Sequence, residues 1–204
     1  MISKEALENH KCYLERKAYF KKFGYDIDKE RSFIFKKAMP VQGRILEVGT
    51  GKGHFTMELA KAGYCLTSVD ISEEEQIAAR LNLEFSGLKD KVVLRVENAE
   101  KLSFSDGSFD AVFSVNAVHH FKDTFRVMDE LVRVTARPGK IVLSDFSEEG
   151  FKVIECIHGS EGKTHDRGAV SMKAVKDHLT GKGFRTEEYG TKFQDIVIAY
   201  RKIV

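Results

Sequence analysis

The sequence predicts an α/β fold: a seven-stranded, mostly parallel sheet with an antiparallel last strand and helices on both faces. Three observations carry this. Short apolar runs alternate with segments of helical period from residue 44 to residue 146. Those helical segments are about 10–16 residues long, the length of a crossover between parallel strands. The final two apolar runs, "FRTEEYG" and "FQDIVIAYRK", are joined too tightly for anything but an antiparallel pair.

Taken in order, residues 3–23 read as a helix with Leu7, Leu14 and Ala18 on one stripe and Tyr13 and Phe20 beside it. Gly24 is its stop. Asp28 is the expected cap of a second short helix that ends before Pro40. "RILEV" reads as a strand, "FTMELAKAG" as a helix closed by Gly63, and "CLTSVD" as a strand. Ser72 caps the helix "SEEEQIAARLNLEFSG", with Glu75 completing a capping box. "KVVLRVE" and "FDAVFSV" are strands, "TFRVMDELVRVTA" a helix closed by "RPG", and "KIVLSDF" a strand. The helix "SMKAVKDHLTGKG" precedes the closing hairpin. Residues 1–40 are expected to form an N-terminal helical cap on a single compact unit, residues 41–204.

At 204 residues, 42% hydrophobic and 31% charged, the chain is globular in composition. No apolar run nears the roughly 20 residues that cross a bilayer, and the first residues lack the apolar centre of a secretory signal. Three widely spaced cysteines without a CxxC pattern fit reduced thiols in a cytoplasm. A formal charge of +2 excludes a strongly basic nucleic-acid binder as the default. Residues 1–40 hold ten Lys/Arg against six Asp/Glu, which reads first as a solvated helical face.

The stretch "EVGTGKGHF", Glu47 to Phe55, sets Gly49, Gly51 and Gly53 in alternation between a strand and a helix. Glycine at every second position suits neither element's interior, so a ligand approaching the backbone is the natural reason. The spacing departs from G-x-G-x-x-G, because His54 stands at the third position, and no GK[ST] follows Lys52. A nicotinamide dinucleotide and a nucleoside triphosphate are both disfavoured. Asp70, ending the next strand, is placed to accept from two ribose hydroxyls.

With these residues in view, the chain resembles class I S-adenosylmethionine (SAM)-dependent methyltransferases over residues 41–204. The matching stretches are "ILEVGTGKGHFTMELAKAG", "VDIS", "NAEKLSFSDGSFDAVFSVNAVHHF" and "LVRVTARPGKIVLSDF". The nearest likeness is to small-molecule enzymes of the ubiquinone/menaquinone-biosynthesis type. The resemblance implies a Rossmann-like sheet and SAM as methyl donor, with S-adenosylhomocysteine as product. It implies that Glu47 orients the loop and the methionyl ammonium, and that Gly49, Thr50 and Gly51 lie against the methionyl portion and ribose. Asp70 would bind the ribose, Ile71 would pack on the adenine, and Asn98 and Ala99 would read its amino group. Asn98 stands where the family has Asp, yet an amide oxygen still accepts. Asn116 would face the carboxylate or sulfonium region.

Methyl transfer from a sulfonium is an in-line displacement with a neutral leaving group, so positioning supplies much of the acceleration. A base matters only for a protonated acceptor. His119 and His120 in "HHF" lie near the expected transfer site. Histidines at this place more often shape the pocket than move a proton; as a base, His120 is placed slightly ahead of His119. The long segment "SEEGFKVIECIHGSEGKTHDRGAVS" reads first as a lid over the acceptor. A surface excursion is the second reading, and a metal site on Cys156, His158 and His165 the third. Its spacing matches no standard motif, so no metal is expected. The expected partner is a small-molecule acceptor, with nucleic acid and membrane disfavoured. The rivals are an RNA- or protein-modifying methyltransferase and a noncatalytic SAM-binding protein. The place of the Asn/Asp-Pro-Pro-aromatic motif of many nucleic-acid enzymes reads "SVNAVHH" here, and the chain has only two prolines, Pro40 and Pro138.

Overall fold

A computed structural model describes residues 2–202. Two helices open the chain, α1 (Lys4–Lys22) and α2 (Ile27–Ala38). Alternation follows: β1 (Ile45–Val48), α3 (His54–Lys61), β2 (Leu66–Asp70), α4 (Glu73–Phe85), β3 (Val92–Val96) and β4 (Phe109–Val115). Then come α5 (Thr124–Val134), β5 (Thr135–Phe146), α6 (Glu148–Ser160), α7 (Met172–Gly181), β6 (Arg185–Gly190) and β7 (Gln194–Arg201).

The strands form one seven-stranded sheet in the order β3-β2-β1-β4-β5-β7-β6. All pairings are parallel except those of β7, which runs antiparallel to β5 and to β6. The expected fold class is thus the observed one. Because successive side chains of a strand point to opposite faces, each strand feeds two cores. Leu46, Val112, Ile141 and Val197 join α5 and α7 on one face; Ile45, Phe113, Val142 and Ile196 join α2 and α3 on the other. The chain leaves β1 in one direction along the sheet and returns to β4 on the other side. That reversal is the switch point beside which ligands of open α/β sheets bind.

Four details differ from the sequence expectation. On α1 the Leu7–Leu14–Ala18 stripe faces out: Leu7 and Leu14 are 56% and 50% exposed. The buried face carries Ala6 and Tyr13, and beside it Asn9 Nδ2 donates to Ala78 O and Asn82 Oδ1 on α4. A polar clasp and an aromatic ring set the helix rotation, so leucine spacing pointed to the wrong side. The cap of α2 is Asp26, whose side chain accepts from Lys29 N; Asp28 lies in the first turn. The "RPG" after α5 belongs to β5, which starts at Thr135. The segment after β5 is not one long loop, since its first half is α6.

The N-terminal helices are sewn to the sheet by buried polar contacts. Lys140 Nζ on β5 donates to the carbonyls of Ala38 and Pro40, and Thr191 Oγ1 donates to the buried Glu30. These bonds satisfy groups that would otherwise be costly to bury.

Candidate active site

At the carboxyl ends of β1 and β4 the backbone opens into a cavity of about 740 Å³. The sheet supplies Gly49, Gly51, Asp70, Asn98, Ala99 and Asn116 to its wall. The N-terminal helices and their connection add Arg16, Phe20, Tyr25, Ile27 and Arg31. His119, His120, Phe146, Ile154, His158 and His165 close the far end.

The glycine loop owes its shape to backbone conformations and to one carboxylate. Gly49, Gly51 and Gly53 have φ of +91°, +48° and +80°, the left-handed region where L side chains are strained. Gly49 and Thr50 donate to Val69 O, fastening the loop to β2. Asp70 Oδ2 accepts from Gly51 N at 2.8 Å, and its Oδ1 accepts from Ser72 N at 3.0 Å. The loop and the carboxylate are therefore one rigid unit. Ile71 is 70% exposed beside it, a free apolar surface on the cavity wall.

Of the nine expected cofactor contacts, Glu47 and Thr50 are not brought to the cavity wall. Both lie beneath the loop. Thr50 Oγ1 pairs with Ser68 Oγ at 2.6 Å and accepts from Gln76 Nε2 at 2.9 Å. Glu47 Oε2 accepts from Thr56 Oγ1 at 2.5 Å and Ser68 Oγ at 2.7 Å. Burial pushes the Glu47 carboxyl up to about 7, against the partial relief of those two hydroxyls. A carboxyl raised in the fold holds its proton more tightly there than in the unfolded chain. The fold therefore loses stability as pH rises from the ordinary carboxyl range toward about 7, and no further above it. Glu47→Gln, a neutral isostere, is expected to raise stability by about 2 kcal/mol at pH 8 and to lose that advantage near pH 4. Denaturant melts at the two pH values check this.

Asn116 follows β4 with φ of +55°. Its Oδ1 accepts from Arg31 Nη1 at 3.2 Å, which brings α2 to the cavity wall. Arg31 is buried, its Nη1 also reaches Tyr25 OH, and its Nε has no partner among the described residues. A buried guanidinium with an unspent donor at the switch point is suited to a carboxylate. Sequence reasoning missed Arg31, because nothing local ties it to a loop 85 residues away.

At the far end four imidazoles gather. His119 is the one held by a carboxylate: Nδ1 lies 2.6 Å from Asp145 Oδ1, and its backbone N donates to Asp145 Oδ2 at 2.8 Å. Asp145 Oδ1 also accepts from Phe146 N. Surrounded by N–H donors, Asp145 places the His119 proton on Nδ1 and leaves Nε2 bare. Nε2 is buried without a partner among the described residues. The orientation thus falls on His119, the histidine ranked second from sequence. The His120 ring lies 3.9 Å from it, centre to centre and tilted by 49°, with its pKa lowered by burial and by His119. Asp145 went unremarked in the sequence, although an acidic residue at a strand's carboxyl end was a usable signal.

His158 and His165 come from the segment read as a lid. Their Nδ1 atoms lie 3.0 Å apart, and the His165 ring is 5.0 Å from that of His119. Cys156 is exposed and outside the cavity wall. Among the described residues no group of three His, Cys, Asp or Glu converges to hold a metal.

The chain is similar to known methyltransferases in sequence and in fold. A methyltransferase domain family matches residues 46–143. The 27-O-demethylrifamycin SV methyltransferase of Amycolatopsis mediterranei is 31% identical over 104 residues, 50% of this chain and 38% of that protein. A ubiquinone/menaquinone biosynthesis C-methyltransferase of Citrifermentans bemidjiense is 30% identical over 132 residues, 63% of this chain and 56% of that one. The chain thus spans between 38% and 56% of the length of these two relatives. A SAM-dependent methyltransferase structure from Methanosarcina mazei superposes with a TM-score of 0.65 at 25% identity, covering 84% of this chain and 98% of that one. In sequence and in fold the chain is thus similar to SAM-dependent methyltransferases.

Proposed function

We propose that this chain, a relative of the class I methyltransferases, binds SAM at the glycine loop and transfers its methyl group in line to a small-molecule acceptor. One observation carries the reading: the loop–carboxylate unit of Gly51 and Asp70 opens onto a cavity that continues past it to an oriented His119–Asp145 pair. A donor alone would not need that second half.

The residues present fit the cofactor. Asp70 has lone pairs left for ribose hydroxyls after accepting from Gly51 N and Ser72 N. Ile71 offers an apolar face for a base, Asn98 and Ala99 stand at the end of β3, and Arg31 has the free donor a carboxylate needs. When bound, SAM supplies a methyl group on a positive sulfur, which needs no acid to leave. This chain supplies placement and the exclusion of water. Phe20, Tyr25 and Phe146 wall the acceptor half with rings, while α1 and α6 meet through Arg16–Glu161 and through Tyr19 OH and Ser160 Oγ at 2.7 Å. A cavity covered from two sides favours a small acceptor over a nucleic acid or a protein tail. No described helix is long and apolar enough to cross a membrane, and three exposed free cysteines suit a reducing cytoplasm.

Calorimetry with S-adenosylhomocysteine tests the reading directly. Asp70→Ala removes both the ribose acceptor and the strut under Gly51, and is expected to weaken that binding by about 100-fold with modest change in melting temperature. Absence of binding to the folded wild-type protein would end the proposal.

A further inference from the structure

Resting on that reading and going beyond it, we infer that the acceptor carries an anionic group remote from the methylated atom, held by Lys101 and Lys122 in a second cleft beside the cofactor cavity. The cleft, of about 900 Å³, lies between the β3–β4 connection and the segment joining α6 to α7. The β4–α5 connection and the first turn of α5 form its floor. Asn98, Glu100, His119, His120, Phe121 and Lys122 wall both hollows, which therefore share an edge. His120 is exposed there. A molecule too long for the acceptor half extends past it into the cleft, because toward α1 the Arg16–Glu161 and Tyr19–Ser160 contacts stand in the way.

The roof of the cleft is seated by a close backbone contact. Gly168 has φ of +68°, and a Cβ there would lie 2.7 Å from His119 O, so the segment rests on the backbone of His119. Asp166 Oδ1 accepts from Gly168 N at 2.9 Å, and Arg167 ties the same stretch to Glu148 and Glu155 of α6. A hollow bounded by chain fastened in this way is already shaped before a ligand arrives, which lowers the cost of binding.

The charges around the cleft have unequal tasks. Glu100, Asp123 and Asp166 match Lys101, Lys122 and Arg126 in number. Each carboxylate is fastened to a backbone N–H: Glu100 Oε1 to Asp123 N at 3.2 Å, Asp123 Oδ1 to Arg126 N at 3.0 Å, and Asp166 Oδ1 to Gly168 N. Arg126 Nε donates to Glu100 O at 3.0 Å. Of the three cations, Lys101 and Lys122 have neither an ion pair nor a side-chain hydrogen bond among the described residues. An ammonium without a partner offers three donors and a full charge to an incoming anion. A polyanion such as a nucleic acid would also meet the three carboxylates. A single carboxylate or phosphate set against the two lysines need not.

Chain geometry bounds the length of the arm. Lys122 follows His119 by three residues, so their Cα atoms are at most about 11 Å apart. An arm of a few carbon atoms joins the two hollows over that distance. Its apolar part passes Phe121 and Val170 on the cleft wall, while a ring at its other end sits among Phe20, Tyr25 and Phe146. The acceptor class that fits both hollows is a ring with a short side arm ending in an anion.

The test uses the full chain loaded with S-adenosylhomocysteine, whose binding is established first by calorimetry. Three probes share one ring and one arm: 4-phenylbutyrate, 4-phenylbutyl phosphate and the neutral 4-phenylbutanol. Their dissociation constants are measured by ligand-observed NMR at low and at high salt. At low salt an anionic probe is expected to bind about 10-fold tighter than the alcohol, and high salt should erase most of that preference. The tighter of the two anions tells a carboxylate acceptor from a phosphorylated one. The double variant Lys101→Ala/Lys122→Ala should bind all three probes alike, with S-adenosylhomocysteine affinity and melting temperature unchanged. Lys101→Arg/Lys122→Arg, which keeps both charges, should keep the preference. Equal or undetectable binding of the three probes by the loaded wild-type protein overturns the inference. So does an anion preference that survives in the double alanine variant. If S-adenosylhomocysteine itself fails to bind, the methyltransferase reading falls first and this inference with it; once it binds, the probes judge the cleft alone.

Discussion

His119→Ala is expected to lower turnover by about 10³-fold while S-adenosylhomocysteine affinity stays within roughly a factor of two. The expectation follows from what the side chain touches. His119 makes two hydrogen bonds with Asp145, at Nδ1 and at its backbone N, and the variant keeps the second. The loop that would hold the cofactor is fastened elsewhere, through Val69 and Asp70. The variant loses the imidazole with its Nδ1 contact to Asp145 and its bare Nε2, and with Nε2 the destination of the acceptor proton.

Asp145→Asn sharpens the test, because an amide can turn its N–H toward Nδ1. That exchange would put the imidazole proton on Nε2, where it blocks acceptance, so a loss of about 10²-fold is expected with the ring still in place. An acceptor already ionised at the assay pH, such as a nitrophenol, has no proton to give. It should be methylated by His119→Ala nearly as fast as by wild type. Equal loss on the ionised and the protonated acceptor would make His119 a wall of the pocket and not a base.

What could be read from the sequence is what local chemistry fixes. β4 spans Phe109–Val115 as expected because a largely buried strand reads as a short, mostly apolar run bounded by polar turns. Ser72 caps α4 because the rule needs only a side-chain oxygen and the N–H three residues on, here Glu75 N. The same rule failed at α2, where Asp26 and Asp28 both qualify locally and only the fold decides. The glycine loop and Asp70 were legible because the loop is shaped by glycines close together in the chain and by the carboxylate that ends the next strand. The acceptor end was not. Arg31 reaches Asn116 across 85 residues, and His119 meets Asp145 across 26. Glu47 and Thr50 show the converse limit. Both were expected as cofactor contacts, but the fold turns their side chains under the loop, onto Ser68, Thr56 and Gln76.

The alternating glycines invite a paired substitution in which the two variants fail differently. Gly49 is hemmed in: an added Cβ would lie 2.5 Å from Ala117 Cβ, with φ at +91°. Neither side can yield cheaply, because Gly49 N is bonded to Val69 O at 2.8 Å and Ala117 follows the positive-φ Asn116. Gly49→Ala is therefore expected to cost about 3 kcal/mol of stability, from backbone strain and overpacking together. Gly51 differs. An added Cβ there meets no atom within 4 Å, and the residue walls the cavity. Its φ of +48° costs an alanine only about 1 kcal/mol, so Gly51→Ala should fold with a nearly normal melt. The new methyl group would stand in space the cofactor needs, and S-adenosylhomocysteine binding should fall by about 100-fold. Thermal melts and calorimetry on both variants separate the two roles. If Gly51→Ala binds as tightly as wild type, the space beside that glycine belongs to no ligand, and the alternation serves the turn alone.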